Sequence, residues 1–241
     1  MDFYSKIAAY YDLIFPVDPS QRKFIISIIE KHPHLDTLLD IGCGTGSLAV
    51  SLSENFRTIT GIDINPKMIS VAKRKTVKKI PNVKFIKGDM LKIKNHVHSN
   101  KFGIISSSGN TISHLKDPKQ IEKILLLTRK ILKPGGIFIF QIINYDYLAK
   151  KKIETLPLIE NEFLIFKRYY KTTGSIINFH SDLRLKKTNT AIKNRINLYP
   201  VTPNEIKKIL IKTGYKDIEL YGGYKKTDPV SESLSLTGKA R

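Results

Sequence analysis

Leu38-Leu39-Asp40-Ile41-Gly42-Cys43-Gly44-Thr45-Gly46 decides how this chain folds. Thr37 to Ile41 is a short apolar strand that runs into alternate glycines, and Ser47 to Glu54 suits a helix behind them. Glycines let a backbone turn tightly and approach a ligand closely. The helix that follows points its positive end at that ligand. A dinucleotide fingerprint needs Gly-x-Gly-x-x-Gly. Here the third glycine comes one residue early, and Ser47 takes its expected place. No lysine follows the loop, so it is not a P-loop either.

Two more acids stand at strand ends beyond this loop. Thr58 to Ile62 is a strand closing on Gly61-Ile62-Asp63-Ile64, and Val83 to Lys87 is a strand closing on Lys87-Gly88-Asp89-Met90. Ligands of open α/β sheets sit beyond the carboxyl ends of strands, and an acid there accepts both ribose hydroxyls. Asp63 suits that task, because Asn65 already serves as the cap of the next helix. Asp89 suits an adenine amino group, with Met90 packing on the ring. An ordinary turn is the alternative for Asp89.

Farther out, the chain alternates helix and strand. Phe3 to Phe15 reads as one helix from its apolar spacing. Asp18-Pro19 opens another, reaching Lys31, with Asp as cap and Pro in the first turn. Asn65-Pro66 opens a helix to about Lys79, and Asp117-Pro118 one to about Leu132. Gly103 to Ser107 and Ile137 to Ile143 are strands, the second preceded by a Pro134-Gly135-Gly136 turn. Such alternation implies a parallel sheet with right-handed crossovers. Between 150 and 199 the pattern changes to Glu162-Tyr170, Ser175-Leu185 and Ala191-Leu198, an antiparallel meander. Thr202-Pro203-Asn204-Glu205 is a capping box, Gly214 ends its helix, and strands near Lys216-Tyr221 and Glu232-Lys239 finish the chain.

The loop and the two acids, in order and each at a strand end, resemble the class I S-adenosylmethionine-dependent methyltransferases. So do Asp63-Ile64-Asn65-Pro66-Lys67-Met68 and Leu132-Lys133-Pro134-Gly135-Gly136. The resemblance implies an α/β fold: a Rossmann-like, doubly wound, mostly parallel sheet with an antiparallel last strand. Residues 1–149 and 200–241 would form the S-adenosylmethionine-binding domain and 150–199 an inserted β cap over the substrate. It also implies that Asp40, Gly42, Cys43, Gly44 and Gly46 hold the methionine part. Asp63 and Ile64 hold the ribose, Asp89 and Met90 face the adenine, and Tyr11 joins from the N-terminal helix.

Ser107-Ser108-Gly109-Asn110-Thr111-Ile112-Ser113-His114-Leu115, Asn144-Tyr145-Asp146-Tyr147 and the Tyr199-Pro200 step are similar to the glycine and sarcosine N-methyltransferase-like branch. That likeness implies that Asn110 and Tyr145 face a small-molecule methyl acceptor, Tyr199 lines its pocket, and His114 lies beside the cofactor. Plainer alternatives are a turn cap for Asn110, a satisfied buried histidine for His114, and a strand breaker for the Tyr-Pro step. Glycine N-methyltransferases place an arginine just before Asn-Tyr-Asp to grip the substrate carboxylate. Here that residue is Ile143, so a carboxylate would lose its bidentate partner. Arg168 and Arg195, in the meander, would replace that grip only by reaching the pocket; an exposed strand face is the favoured expectation for both.

Composition limits the remaining choices. Lys and Arg number 41 against 21 acids, a formal charge of +20. Basic surfaces attract phosphates, which makes RNA methylation the competing function and nucleic acid the less favoured partner. The lysines run along nearly the whole chain, as a uniform bias produces, rather than clustering with Arg and aromatics. Cys43 is the only cysteine, so neither an intrachain disulfide nor a Cys-based zinc site can be built. His32, His34, His96 and His98 are too loosely placed for a metal site, and none is required. No apolar run approaches the ~20 residues that span a bilayer. The expectation is a cytoplasmic monomer or homodimer without membrane contact. A non-catalytic protein that kept the fold is a third reading, opposed by the intact loop and acids.

Overall fold

The computed structural model describes residues 3–76, 80–97, 101–174, 176–225 and 228–241. The expected helix end at Lys79, the strand start at Ser175 and His98 lie outside those residues. In chain order the elements are α1 (Phe3–Ile7), α2 (Tyr11–Ile14), α3 (Pro19–Lys31), β1 (Thr37–Ile41), α4 (Ser47–Ser51), β2 (Thr58–Asp63), α5 (Pro66–Thr76) and β3 (Val83–Lys87). Then follow β4 (Phe102–Ser107), α6 (Pro118–Ile131), β5 (Leu132–Ile143), α7 (Tyr145–Lys150), β6 (Ile159–Glu160), β7 (Leu164–Thr173), β8 (Ile176–Leu185) and β9 (Ala191–Leu198). The last are α8 (Pro203–Lys212), β10 (Glu219–Tyr221) and β11 (Ser235–Ala240), with short 3-10 turns between several elements.

The main sheet runs β10-β11-β5-β4-β1-β2-β3. β1 to β5 pair in parallel, and β11 is antiparallel to both of its neighbours. Chain order reverses between β1 and β4, and that switch point opens a crevice at the strands' carboxyl ends. Neighbouring residues of each strand enter opposite layers. Leu39, Phe138 and Phe140 join the core under α6 and α8, while Leu38, Ile104 and Ile137 join the core under α3, α4 and α5. This is the expected Rossmann-like α/β sheet.

The second sheet, β6-β7-β8-β9, is antiparallel throughout. It is the expected meander with a fourth, two-residue strand at its edge. Its inner face has no core of its own. Leu164, Phe166, Leu183 and Leu185 pack on Phe3, Ile7, Ala8 and Ile14 of the N-terminal segment and on Met68 of α5.

Three local expectations change. The single N-terminal helix is two short ones, broken at residues 8–10. The break places Tyr4 against His114 while Asp12 reaches Thr45, Ser47 and Lys75. These long-range bonds outweigh the apolar periodicity that suggested one helix. The Pro134-Gly135-Gly136 turn is absorbed into β5 as a bulge opposite Gly103, where pairing jumps from Phe102–Leu132 to Ile104–Ile137; Gly135 supplies the positive φ of 73°. The capping box is half formed: the Thr202 side chain accepts the Glu205 N–H at 3.2 Å, while the Glu205 carboxylate turns outward and accepts the Tyr199 hydroxyl at 2.7 Å.

Candidate active site

A cavity of about 1240 Å³ lies over the switch point. The sequence explains one end of it directly. Gly42 N–H donates to the Ile62 carbonyl at 2.8 Å and Cys43 N–H to the same oxygen at 3.1 Å, which ties the loop to β2. Gly42 and Gly44 both have positive φ. A side chain at Gly42 would collide with Thr111, and one at Gly44 would meet the Tyr11 ring at 3.3 Å. Gly46 differs: its φ is also positive, but a side chain there would strike Phe85, and it does not line the cavity. Of the three glycines, it serves packing.

Asp63, at the end of β2, accepts the Gly44 N–H at 2.9 Å through Oδ2 and the Asn65 N–H at 2.8 Å through Oδ1. Asn65 Oδ1 in turn accepts the Lys67 and Met68 N–H groups, the expected helix cap. Asp89 Oδ1 accepts the Leu91 N–H at 2.9 Å. Asp63, Ile64, Asp89 and Met90 all line the cavity, and Ile64 is 66% exposed there. Two acids and two apolar side chains therefore share one end, a fit for a nucleoside with ribose hydroxyls and an amino-bearing ring. Gly42, Gly44 and Tyr11 line the cavity as well.

Buried ionisable groups surround the loop. Asp40, 3% exposed, accepts the Ser106 hydroxyl at 2.7 Å. Burial pushes its carboxyl up to about 7; the Ser106 bond opposes this and the Asp63 charge adds to it. Burial also pushes up the Cys43 thiol, with Asp40 and Asp63 adding, so it is no nucleophile. The Tyr11 phenol is pushed up by burial and by the Asp63 and Asp12 charges. His114 lines the cavity beside Tyr4, whose hydroxyl lies 3.1 Å from Nε2. Burial lowers the His114 pKa to about 4, so the ring is neutral at neutral pH.

Asp12 is a residue that sequence reading missed. Its carboxylate accepts from Thr45, from Ser47 at 2.8 Å and from Lys75 at 2.5 Å. Burial raises its pKa, and these bonds outweigh burial, leaving the carboxyl below its ordinary range. The one signal for it was Ser47, a hydroxyl standing where the dinucleotide pattern has glycine.

The rest of the cavity lining comes from distant segments: Ser108, Gly109, Gln141, Tyr224, Ser235 and 194–197 of β9. Gln141 Oε1 accepts the Gly109 N–H at 2.9 Å. Arg195 is exposed, as expected, and also lines the cavity; its Nε–H donates to Asn178 Oδ1 at 2.7 Å. Arg168 is half-buried rather than exposed, and its Nη2 donates to the Pro157 carbonyl at 2.8 Å.

The three residues expected to touch the acceptor come together, but outside the cavity wall. Asn110, at φ 65°, folds its side chain back onto β5. Its Oδ1 accepts from Ser113 at 2.8 Å and from Ile143 N–H at 2.9 Å, and its Nδ2 donates to the Tyr145 hydroxyl at 3.0 Å. Tyr199 N–H donates to the Ser113 carbonyl at 2.8 Å, and its hydroxyl turns toward α8. Local hydrogen bonds thus hold Asn110, Tyr145 and Tyr199 to β5, Ser113 and α8 rather than in the cavity lining.

Comparison with known proteins agrees with this fold. A family model described as a methyltransferase domain matches residues 33–214. The glycine/sarcosine N-methyltransferase of Aphanothece halophytica is 22% identical over 216 residues, covering 86% of this chain and 76% of that protein. The ubiquinone biosynthesis O-methyltransferase of Coxiella burnetii is 28% identical over 136 residues, covering 55% of this chain and 53% of that protein. The chain thus spans about half the length of that relative and of several others. Among solved structures, an S-adenosylmethionine-dependent methyltransferase from Clostridium acetobutylicum superposes with TM-score 0.84 at 19% identity, covering 99% of this chain and 98% of that one. CalS10, an amino pentose methyltransferase from Micromonospora echinaspora solved with S-adenosylmethionine bound, gives TM-score 0.73 at 16% identity, covering 100% and 98%. At these identities the structures speak for the fold alone. With the family match spanning most of the sequence, the chain belongs to the methyltransferase-domain family, as a class I S-adenosylmethionine-dependent methyltransferase.

Proposed function

We propose that this enzyme moves a methyl group in line to a nitrogen or oxygen of a small-molecule acceptor. The observation that carries the reading is the shape of the cavity. One end offers Asp63, Ile64, Asp89 and Met90; 194–197 of β9 flank the rest, and the volume of about 1240 Å³ exceeds the roughly 300–1,000 Å³ of ordinary ligand sites. That leaves room for a nucleoside cofactor and a small acceptor together. A cavity flanked in this way admits a small molecule more readily than a folded RNA.

When bound, S-adenosylmethionine supplies a methyl group made electrophilic by its sulfonium. Asp63 and Asp89 would hold the nucleoside, and the Gly42–Gly44 backbone would lie along the amino-acid part. A neutral His114 adds no positive charge beside a sulfonium. A base of pKa about 4 removes protons poorly at neutral pH, so the Tyr4–His114 pair would orient an acceptor rather than deprotonate it. Orientation suffices for a neutral amine, since well-placed groups reach effective molarities of ~10⁵–10⁸ M. CalS10 is an amino pentose methyltransferase, so sugar amines are a reasonable acceptor class to try first.

The test is a screen for labelled methyl transfer to amines, phenols, carboxylic acids and RNA. Transfer to a small amine or hydroxyl compound is the expected result. Transfer to RNA alone, with salt-dependent binding, would overturn the reading.

A further inference from the structure

Three polar side chains form one row across the roof sheet. Arg168 on β7 pairs with Ser181 on β8, and Ser181 pairs with Asn194 on β9. Directly paired residues point to the same face. That face is the inner one: the flanking rows are Phe166, Leu183 and Ile192 on one side and Tyr170, Phe179 and Ile196 on the other. The first row packs on the N-terminal segment, and Tyr170 packs beside Tyr145 and Leu148. A polar row thus interrupts an apolar face, with Arg168 and Ser181 behind the cavity wall and Asn194 at it.

Each member of the row has a buried polar atom with no hydrogen-bond partner among the described residues: Arg168 Nε, Ser181 Oγ and Asn194 Nδ2. Ser181 is only 2% exposed. Most buried polar groups are paired, so each exception needs a reason. Three exceptions in adjacent positions share one. All three atoms can donate, and one belongs to a cation. No carboxylate pairs with Arg168 among the described residues; its guanidinium meets the Pro157 carbonyl and, at 5.8 Å, the Phe166 ring. Burial lowers its pKa, as for a charge lacking a counter-ion. Three groups able to donate, one of them cationic and none with a carboxylate partner, are complementary to an oxyanion.

We infer that Arg168, Ser181 and Asn194 bind an anionic group of the methyl acceptor, a carboxylate or a phosphate. The inference rests on the small-molecule reading above and names its substrate class. It also places the grip differently from the likeness noted in the sequence. β5 ends on Ile143, which offers no charge, and the cation enters from the roof instead. Neighbouring strands lie about 4.8 Å apart, so Ser181 sits at the middle of the row, with Arg168 and Asn194 flanking.

The experiment uses matched acceptors: glucosamine against glucosamine 6-phosphate, and sarcosine against sarcosinamide. Wild type, Arg168→Ala, Arg168→Lys and Arg168→Met are compared. Expected is a tenfold or larger preference in kcat/KM for the anionic member of a pair. Arg168→Ala should remove that preference while leaving the neutral member within about threefold and the affinity for S-adenosylhomocysteine unchanged. Arg168→Lys should restore part of it. Equal use of both members by wild type, or equal losses on both in Arg168→Ala, would overturn the inference while leaving methyl transfer intact. Should no compound be methylated, a thermal melt of the S-adenosylhomocysteine-loaded protein in inorganic phosphate or acetate decides the matter. A Tm rise in wild type that Arg168→Ala lacks supports the anion site; identical behaviour overturns it. Arg168→Met gives an independent check: replacing a half-buried charge that has no carboxylate partner by an apolar chain of similar length should leave Tm unchanged or raise it, whereas a structural arginine would lower it.

Discussion

The two ends of the cavity were built in different ways. The nucleoside end is assembled from three consecutive strand–loop units, and its key contacts are backbone amides onto carboxylates: Gly44 and Asn65 onto Asp63, and Leu91 onto Asp89. The acceptor end gathers Ser108, Gln141, Tyr224 and residues 194–197 from four remote segments. Its polar atoms are partly unpartnered. One end is thus satisfied before any ligand arrives, and the other holds donors in reserve. A shared scaffold with a variable acceptor is the functional sense of that difference.

Glycine substitutions break the comparison most sharply. Gly46→Ala drives a Cβ into Phe85 at a left-handed backbone position. Overpacking at about 1–3 kcal/mol and left-handed strain at about 1–2 kcal/mol predict a stability loss of about 2–5 kcal/mol, measured by chemical unfolding. Gly44→Val carries the same left-handed strain of about 1–2 kcal/mol but meets only the Tyr11 ring, at 3.3 Å, so it should lose less stability than Gly46→Ala and, unlike it, most affinity for the cofactor, because Gly44 and Tyr11 line the cavity. Matching losses of stability in both variants would erase the distinction drawn between the two glycines.

Asp63→Ala comes next. Removing an acceptor for two ribose hydroxyls should weaken S-adenosylhomocysteine binding by about 2–4 kcal/mol by calorimetry, using about 1.5–3 kcal/mol per charge-assisted bond. Asp63→Asn should lose less. Asn110→Ala sharpens the contrast at the other end. It strips the partners from Ile143 N–H, Ser113 and Tyr145, so a stability loss of about 1–3 kcal/mol is expected, with cofactor affinity nearly intact. A catalytic loss at unchanged stability would return Asn110 to direct acceptor contact.

The nucleoside end was legible because its information is local. Gly42, Gly44, Asp63 and Asp89 each follow a strand within a residue or two, and alternating helices and strands fix where those ends meet. The acceptor end was not. Asn110, Tyr145 and Tyr199 were found as a group, yet φ 65° at Asn110 and the pull of Glu205 on Tyr199 turn them away from the cavity. Neither is a property of residue type. The row Arg168, Ser181 and Asn194 depends on strand register, which no periodicity in one chain reveals. The break at residues 8–10 depends on Asp12 meeting Ser47 and Lys75, contacts far apart in the chain.

The smallest predicted effects are in pH. Asp40, raised to about 7, holds its proton in the folded state while the unfolded chain has released it. Stability should therefore fall as pH rises from about 4 to about 7. His114, lowered to about 4, is neutral when folded and protonated when unfolded between about 4 and its ordinary 6.5. Stability should rise with pH across that window. The two slopes, each at most about 1.4 kcal/mol per pH unit, oppose each other, so the net change from these two groups is smallest in the wild type. Asp40→Asn should expose the rising slope and His114→Gln the falling one in urea unfolding at pH 4.5, 5.5 and 6.5.

The most direct test of the account is a crystal structure of the enzyme with S-adenosylhomocysteine bound. It should show the ribose hydroxyls on the Asp63 carboxylate, the adenine between Ile64 and Met90, and the sulfur facing the Gln141 and Asn194 end beneath β9. A nucleoside lodged under β9, or a sulfur facing away from the roof sheet, would contradict it.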